Sequence, residues 1–171
     1  MNIALVLLRL IHIFSGVFWA GSAFVLARFI EPAVAATQPE SNKFMQYFMG
    51  RTGYVIAQSI AGPLTVLAGL ILYWSDSGGL QNAWITTPAG LGFTVGAIFG
   101  LIAFGIGFFI SRTTAEKMTA LGREMQSAGK PPTPEQMSKM KALQERLTSA
   151  SIWLAIVLAV TVAAMATARY L

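Results

Sequence analysis

The chain has 171 residues, 55% of them hydrophobic and 11% charged, with a net charge of +5. That length suits a single domain, residues 1–171, and that composition belongs to membrane proteins rather than to soluble enzymes or disordered chains. Cysteine is absent, which excludes disulfides, thiolate metal sites and dithiol redox chemistry. The basic residues flank apolar runs instead of forming a stripe among aromatics, which argues against nucleic acid as a partner.

The first predicted helix covers residues 3–30. From Ile3 to Ile30 only Arg9, His12 and Arg28 interrupt the apolar run, and about 20 apolar residues suffice to cross a bilayer. No basic leader precedes the run and it is too long for a signal peptide, so it is expected to be retained. Glu31-Pro32 is expected to end the helix, because proline cannot continue the hydrogen-bond ladder. Thr37 to Asn42 then reads as a loop. Ser41 reads as the cap of a short interfacial helix through Phe44, Tyr47 and Phe48.

The second predicted helix covers 53–75 and contains Gly62-Pro63, which predicts a kink rather than a stop. Asp76 to Thr87, with Gly78 and Gly79, reads as a loop. Thr87-Pro88 suits the N-cap and first position of a third helix over 89–111. There Gly92, Gly96 and Gly100 recur every fourth residue, followed by Ala103 and Gly107. Such small-residue rows let helices approach closely in lipid, either inside the bundle or across an intermolecular face.

Residues 112–148 are expected to extend the third and fourth helices as an antiparallel hairpin. Its turn is Gly129-Lys130-Pro131-Pro132, and Thr133-Pro134-Glu135-Gln136 reads as a capping box. Met118, Leu121 and Met125 share one face of the outgoing arm; Met137, Met140, Leu143 and Leu147 share one of the return. At that spacing the methionines read as core between the arms rather than as Cu(I) ligands. The fourth predicted helix covers 149–170.

The expected fold is therefore all-α: a polytopic membrane protein with a four-transmembrane-helix bundle in a lipid bilayer. Ten of the twelve Lys and Arg residues lie in or beside the connections between helices 1 and 2 and between helices 3 and 4. The connection between helices 2 and 3 has none. The positive-inside rule then predicts cytoplasmic loops 1–2 and 3–4, with the hairpin cytoplasmic and both termini outside.

Chemistry centres on the first helix, which holds His12, the protein's one histidine. At about 100° per residue, Arg9, His12, Gly16, Trp19 and Ala23 fall on one stripe. Trp74, Trp84, Trp153 and all four tyrosines sit at or beyond predicted helix ends, where such residues normally gather. Trp19 instead falls near mid-membrane.

These residues, taken as Ile11-His12, Trp19, Gly21 and Arg28, resemble the first helix of two related families. One is the copper-resistance protein D family; the other is the bacterial haem-b-linked, HemJ-type protoporphyrinogen oxidase family. An uncharacterised four-helix family of the same look is a further candidate for the nearest match. The resemblance covers the first helix and the four-helix layout. It implies a bacterial inner-membrane protein that binds haem b, another porphyrin-type cofactor or copper through His12.

Three readings of His12 stay open. In the first, a neutral imidazole bonds to a hydroxyl of Thr65, Thr94 or Thr161, or to a helix carbonyl, and ties the bundle together. In the second, His12 is an axial ligand to haem, with Trp19 packed on the macrocycle and Arg9 pairing a propionate. In the third, His12 is a metal ligand completed by a partner chain. All seven acidic residues lie outside the predicted apolar cores, so no intramembrane carboxylate, acid–base pair or catalytic set is expected. Arg28 is expected to pair with Glu31 at i+3. Two function classes follow: a cofactor- or metal-handling membrane protein, or a non-catalytic structural or accessory subunit. The second would assemble as a homo-oligomer or larger membrane complex through helix 3 or the hairpin.

Overall fold

The computed structural model describes residues 2–171, and every regular element among them is helical. The elements are α1 (Ile3–Ala36), α2 (Ser41–Arg51), α3 (Tyr54–Asp76), α4 (Asn82–Ile85), α5 (Pro88–Ser127) and α6 (Pro134–Tyr170). Four of them, α1, α3, α5 and α6, are long and apolar enough to cross a membrane. The most apolar stretches of these four have mean hydropathies of 2.0 to 2.3.

The bundle is two close pairs, α1 on α3 and α5 on α6, joined by contacts of α1 with α6 and α3 with α5. Its buried core is mostly small: Trp19 stands among Ala23, Ala61, Ala103, Val157 and Leu158. Large apolar side chains point outward instead, Phe14 being 71% and Phe109 67% exposed. A soluble surface does not carry apolar area on that scale. In a bilayer the same surface needs no cover, and close backbone packing by small residues holds the helices together.

Local chemistry sets most of the helix ends. The Thr87 hydroxyl accepts from the Gly90 N–H at 3.0 Å, and Pro88 takes the first position of α5. Thr133 and Gln136 form the expected capping box at the start of α6. Pro63 lies inside α3 without ending it.

Three expectations are corrected. Helix α1 passes Glu31-Pro32 and runs on to Ala36. The reason is a π-helical stretch over Leu26–Ile30, in which the Glu31 N–H reaches back to the Leu26 carbonyl. That wider turn accommodates the proline, which can donate no bond and would crowd a carbonyl in an α-helical ladder. Ser41 does not cap α2; it lies inside that helix, and its hydroxyl donates to the Val34 carbonyl at 2.7 Å. The stretch read as a loop from Asp76 to Thr87 holds α4, whose Trp84 ring packs between Tyr73 and Phe93.

Helix α5 likewise continues without a break into the outer arm, with a second π stretch over Ile106–Ser111. Beyond the bundle the arms of α5 and α6 lie against each other. Leu121 and Thr114 are buried there, whereas Met137 is 60% exposed.

The glycine row of α5 faces α6. A Cβ at Gly92 would lie 2.9 Å from the Ala168 Cβ and 3.0 Å from its Cα; one at Gly96 would lie 2.9 Å from Met165 side-chain atoms. At Gly100 the nearest atom is Thr161 Cγ2 at 3.6 Å, and at Gly107 nothing lies within 4 Å. An ordering of substitutions follows. Gly92→Ala should cost about 1–3 kcal/mol, because it meets backbone that cannot step aside. Gly96→Ala should cost less, since Met165 is flexible, and Gly107→Ala should be neutral or stabilising through helix propensity. Thermal unfolding in detergent measures the series; equal effects at Gly92 and Gly107 would contradict this packing.

Candidate functional site

The stripe of α1 that carries Arg9, His12, Gly16 and Trp19 lies against α3, and Trp19 also reaches the core shared with α5 and α6. Helices α1 and α3 run antiparallel, and each stripe residue meets its counterpart in reverse order. Arg9 Nη2 contacts both carboxylate oxygens of Asp76, at 2.9 and 3.2 Å. His12 Nδ1 lies 2.8 Å from the Thr65 carbonyl oxygen. The Trp19 ring lies against Gly62, where a Cβ would stand 3.4 Å from Cε2.

Glycine makes this contact possible from both sides. A Cβ at Gly69 would fall 2.7 Å from His12 Cε1 and 3.0 Å from Nδ1, so the imidazole occupies the space a larger residue would need. On the other helix, a Cβ at Gly16 would lie 3.3 Å from Thr65 Cγ2. The Thr65 hydroxyl is also engaged, 2.7 Å from the Ala61 carbonyl and 2.8 Å from the Ser15 hydroxyl.

The carbonyl partner decides the imidazole tautomer. A carbonyl oxygen can only accept, so Nδ1 carries the proton and donates it. In the neutral imidazole Nε2 then keeps its lone pair. Among the three threonines at this level, Thr65 therefore serves His12 through its backbone and not its hydroxyl. Thr94 is taken by the Tyr73 hydroxyl at 2.6 Å, and the Thr161 hydroxyl donates to the Val157 carbonyl of its own helix. Arg9 and Asp76 remain partly exposed. Such a pair contributes about 0.2–1 kcal/mol in water, enough to favour one register of α1 on α3.

Trp19 is 6% exposed and belongs to the core cluster. Among the described residues, no group of three or more His, Cys, Asp or Glu side chains could hold a metal ion. On the imidazole itself, Nε2 is the nitrogen not bonded to Thr65.

A second polar cluster was missed in the sequence. Glu31 was assigned to the region outside the apolar core and to a pair with Arg28. Its carboxylate instead accepts a hydrogen bond from Ser151 Oγ on α6 at 2.8 Å, and the ion pairs among the described residues are Arg9–Asp76 and Arg112–Glu116. The π stretch separates Arg28 from Glu31, since the looser winding moves residues three apart off the shared face they would have in an α-helix. Glu31 thus turns toward α6 while Arg28 stays exposed. Pro32 directly follows the π stretch, at the point where the winding changes.

No protein-family model, curated protein or solved structure matches this chain.

The close fit of His12 on α3 generates a coupling prediction. Gly69→Ala should displace the imidazole and cost about 1–3 kcal/mol, as overpacking does. In a His12→Ala background the same substitution should cost much less, because the colliding ring is gone. A double-mutant cycle by thermal unfolding measures this, and strictly additive losses would show that the two residues do not touch.

Proposed function

We propose that this protein is a non-catalytic integral membrane protein, a structural or accessory subunit whose polar first-helix residues hold the bundle together. One observation carries the reading: Arg9, His12 and Trp19 each have a partner on α3, in Asp76, Thr65 and Gly62. The polar groups of Arg9 and His12 and the ring of Trp19 are thus engaged by the neighbouring helix. The absence of cysteine and of any further histidine in the sequence fits this assignment.

The basic residues support an orientation for it. With ten of twelve Lys and Arg beside the α1–α3 and α5–α6 connections, the positive-inside rule puts the arms of α5 and α6 in the cytoplasm and both termini outside. The arms would then be the contact surface toward other components. Cysteines introduced singly at Gly79 and Lys130 should react with an impermeant thiol reagent from opposite sides; labelling of both from the same side would reverse the assignment.

A second reading rests on the tautomer. A histidine that ligates a metal usually donates its other ring N–H to a backbone carbonyl or carboxylate, and His12 makes that bond to Thr65. A haem b or copper held at Nε2 would agree with the resemblance of the first helix to copper-resistance D and HemJ-type proteins. The absorption spectrum of the detergent-purified protein separates the structural reading from the haem form of the second, and metal analysis separates it from the copper form. The structural reading predicts no Soret band, with His12→Ala lowering stability by about 1 kcal/mol. A Soret band lost in His12→Ala would establish the ligand reading instead.

A further inference from the structure

Helices α1 and α6 leave a groove of about 310 Å³ between them on their outer side. The buried Ala27 and Ala155 form its floor, and the exposed Phe24, Ile152 and Val160 stand along its edges. Alanine on both helices, with Ala159 further along α6, leaves room that larger side chains would fill. Every residue lining the groove is apolar except Arg28.

The groove has a direction. The Glu31–Ser151 hydrogen bond ties the two helices at one level, and Trp19 shares the core with Val157 and Leu158. Helices α1 and α6 are therefore antiparallel. Arg28 precedes Glu31 by three residues and Ile152 follows Ser151, so both stand at the same end of the groove. From Ile152 to Val160 it extends about 12 Å along α6. The hydrocarbon core of a bilayer is about 30 Å thick, so the groove runs through most of one leaflet, from Arg28 toward the middle.

Arg28 lacks a counter-charge in the chain. The ion pairs among the described residues are Arg9–Asp76 and Arg112–Glu116, and Glu31 turns to Ser151. A guanidinium set among apolar side chains of a membrane helix is costly without an anion. Its planar fork matches two oxygens of a phosphate group. In a bilayer, the phosphate that arrives with apolar chains attached belongs to a phospholipid.

We propose that the α1–α6 groove binds one acidic phospholipid, with its phosphate on Arg28 and an acyl chain along Ala27, Ala155 and Ala159. Charge selects an acidic headgroup over a zwitterionic one. Lys and Arg outnumber Asp and Glu ten to six in and beside the α1–α3 and α5–α6 connections, at the Arg28 end of the helices. That excess attracts anionic lipid and repels the ammonium of a choline headgroup, and basic pockets between membrane helices are recurrent sites for acidic headgroups. The inference requires only that the bundle lies in a bilayer. It holds for either role of His12 and for either orientation of the chain.

The test is thermal unfolding of the detergent-purified protein at constant ionic strength, titrated with dioleoylphosphatidylglycerol, dioleoylphosphatidylcholine or inorganic phosphate. The proposal predicts a melting temperature that rises and saturates with phosphatidylglycerol. Its midpoint should lie about 5-fold or more below that of phosphatidylcholine, the scale on which one basic residue attracts anionic lipid. Inorganic phosphate, which has no chain, should give no rise. Arg28→Gln removes a side chain without an ion-pair partner, so the fold should persist while the preference is lost. Ala159→Leu should fill the groove and raise the phosphatidylglycerol midpoint. Arg169→Gln, the same charge change at the far end of α6, should leave it unchanged. No saturable rise, equal midpoints for the two lipids, or a preference that survives Arg28→Gln would each overturn the proposal. So would an unchanged midpoint in Ala159→Leu, an equal loss in Arg169→Gln, or a rise reproduced by inorganic phosphate alone.

Discussion

The structure depends on how closely α1 approaches α3. Gly16, Gly62 and Gly69 remove the side chains that would hold the two backbones apart, and the space is filled by Thr65, Trp19 and His12 in turn. In lipid there is no gain from hiding apolar surface, so contact area and hydrogen bonds must supply the association. The ring of His12 does both at once, lying on the Gly69 backbone and donating to the Thr65 carbonyl. The α5–α6 pair solves the same problem with a different row, Gly92, Gly96 and Gly100, and Ala103 at its end is fully buried.

Much of this was legible in the sequence because membrane helices write their length, ends and small-residue rows plainly. The stripe of Arg9, His12, Gly16, Trp19 and Ala23 follows from helical periodicity alone, and it lies against α3. The identity of the partner atoms was not legible. A threonine offers a hydroxyl and a carbonyl, and only coordinates distinguish them; the carbonyl of Thr65 is the one used. Glu31 was hidden for another reason. Its position relative to Arg28 and Pro32 was read with α-helical winding, and a local π turn rotates everything that follows it. Periodicity arguments fail wherever the period changes.

The two ends of the bundle differ in character. Toward the Arg9–Asp76 end, Arg9 and His12 of α1 each bond to α3. Toward Glu31, polar oxygens from α1, α3 and α5 are buried without partners. The histidine that first draws attention lies in the close α1–α3 contact, and Glu31 bonds instead to Ser151 on α6.

The claim that His12 serves α3 through Nδ1 can be tested at one atom pair. Because the protein contains a single histidine, nitrogen NMR of a histidine-labelled sample in bilayers reports that imidazole without assignment. The account predicts a protonated, hydrogen-bonded Nδ1 and an unprotonated Nε2, with the Nδ1 signal changed by Gly69→Ala. A proton found on Nε2 with Nδ1 bare would contradict it, since the Thr65 carbonyl could then accept nothing from the ring.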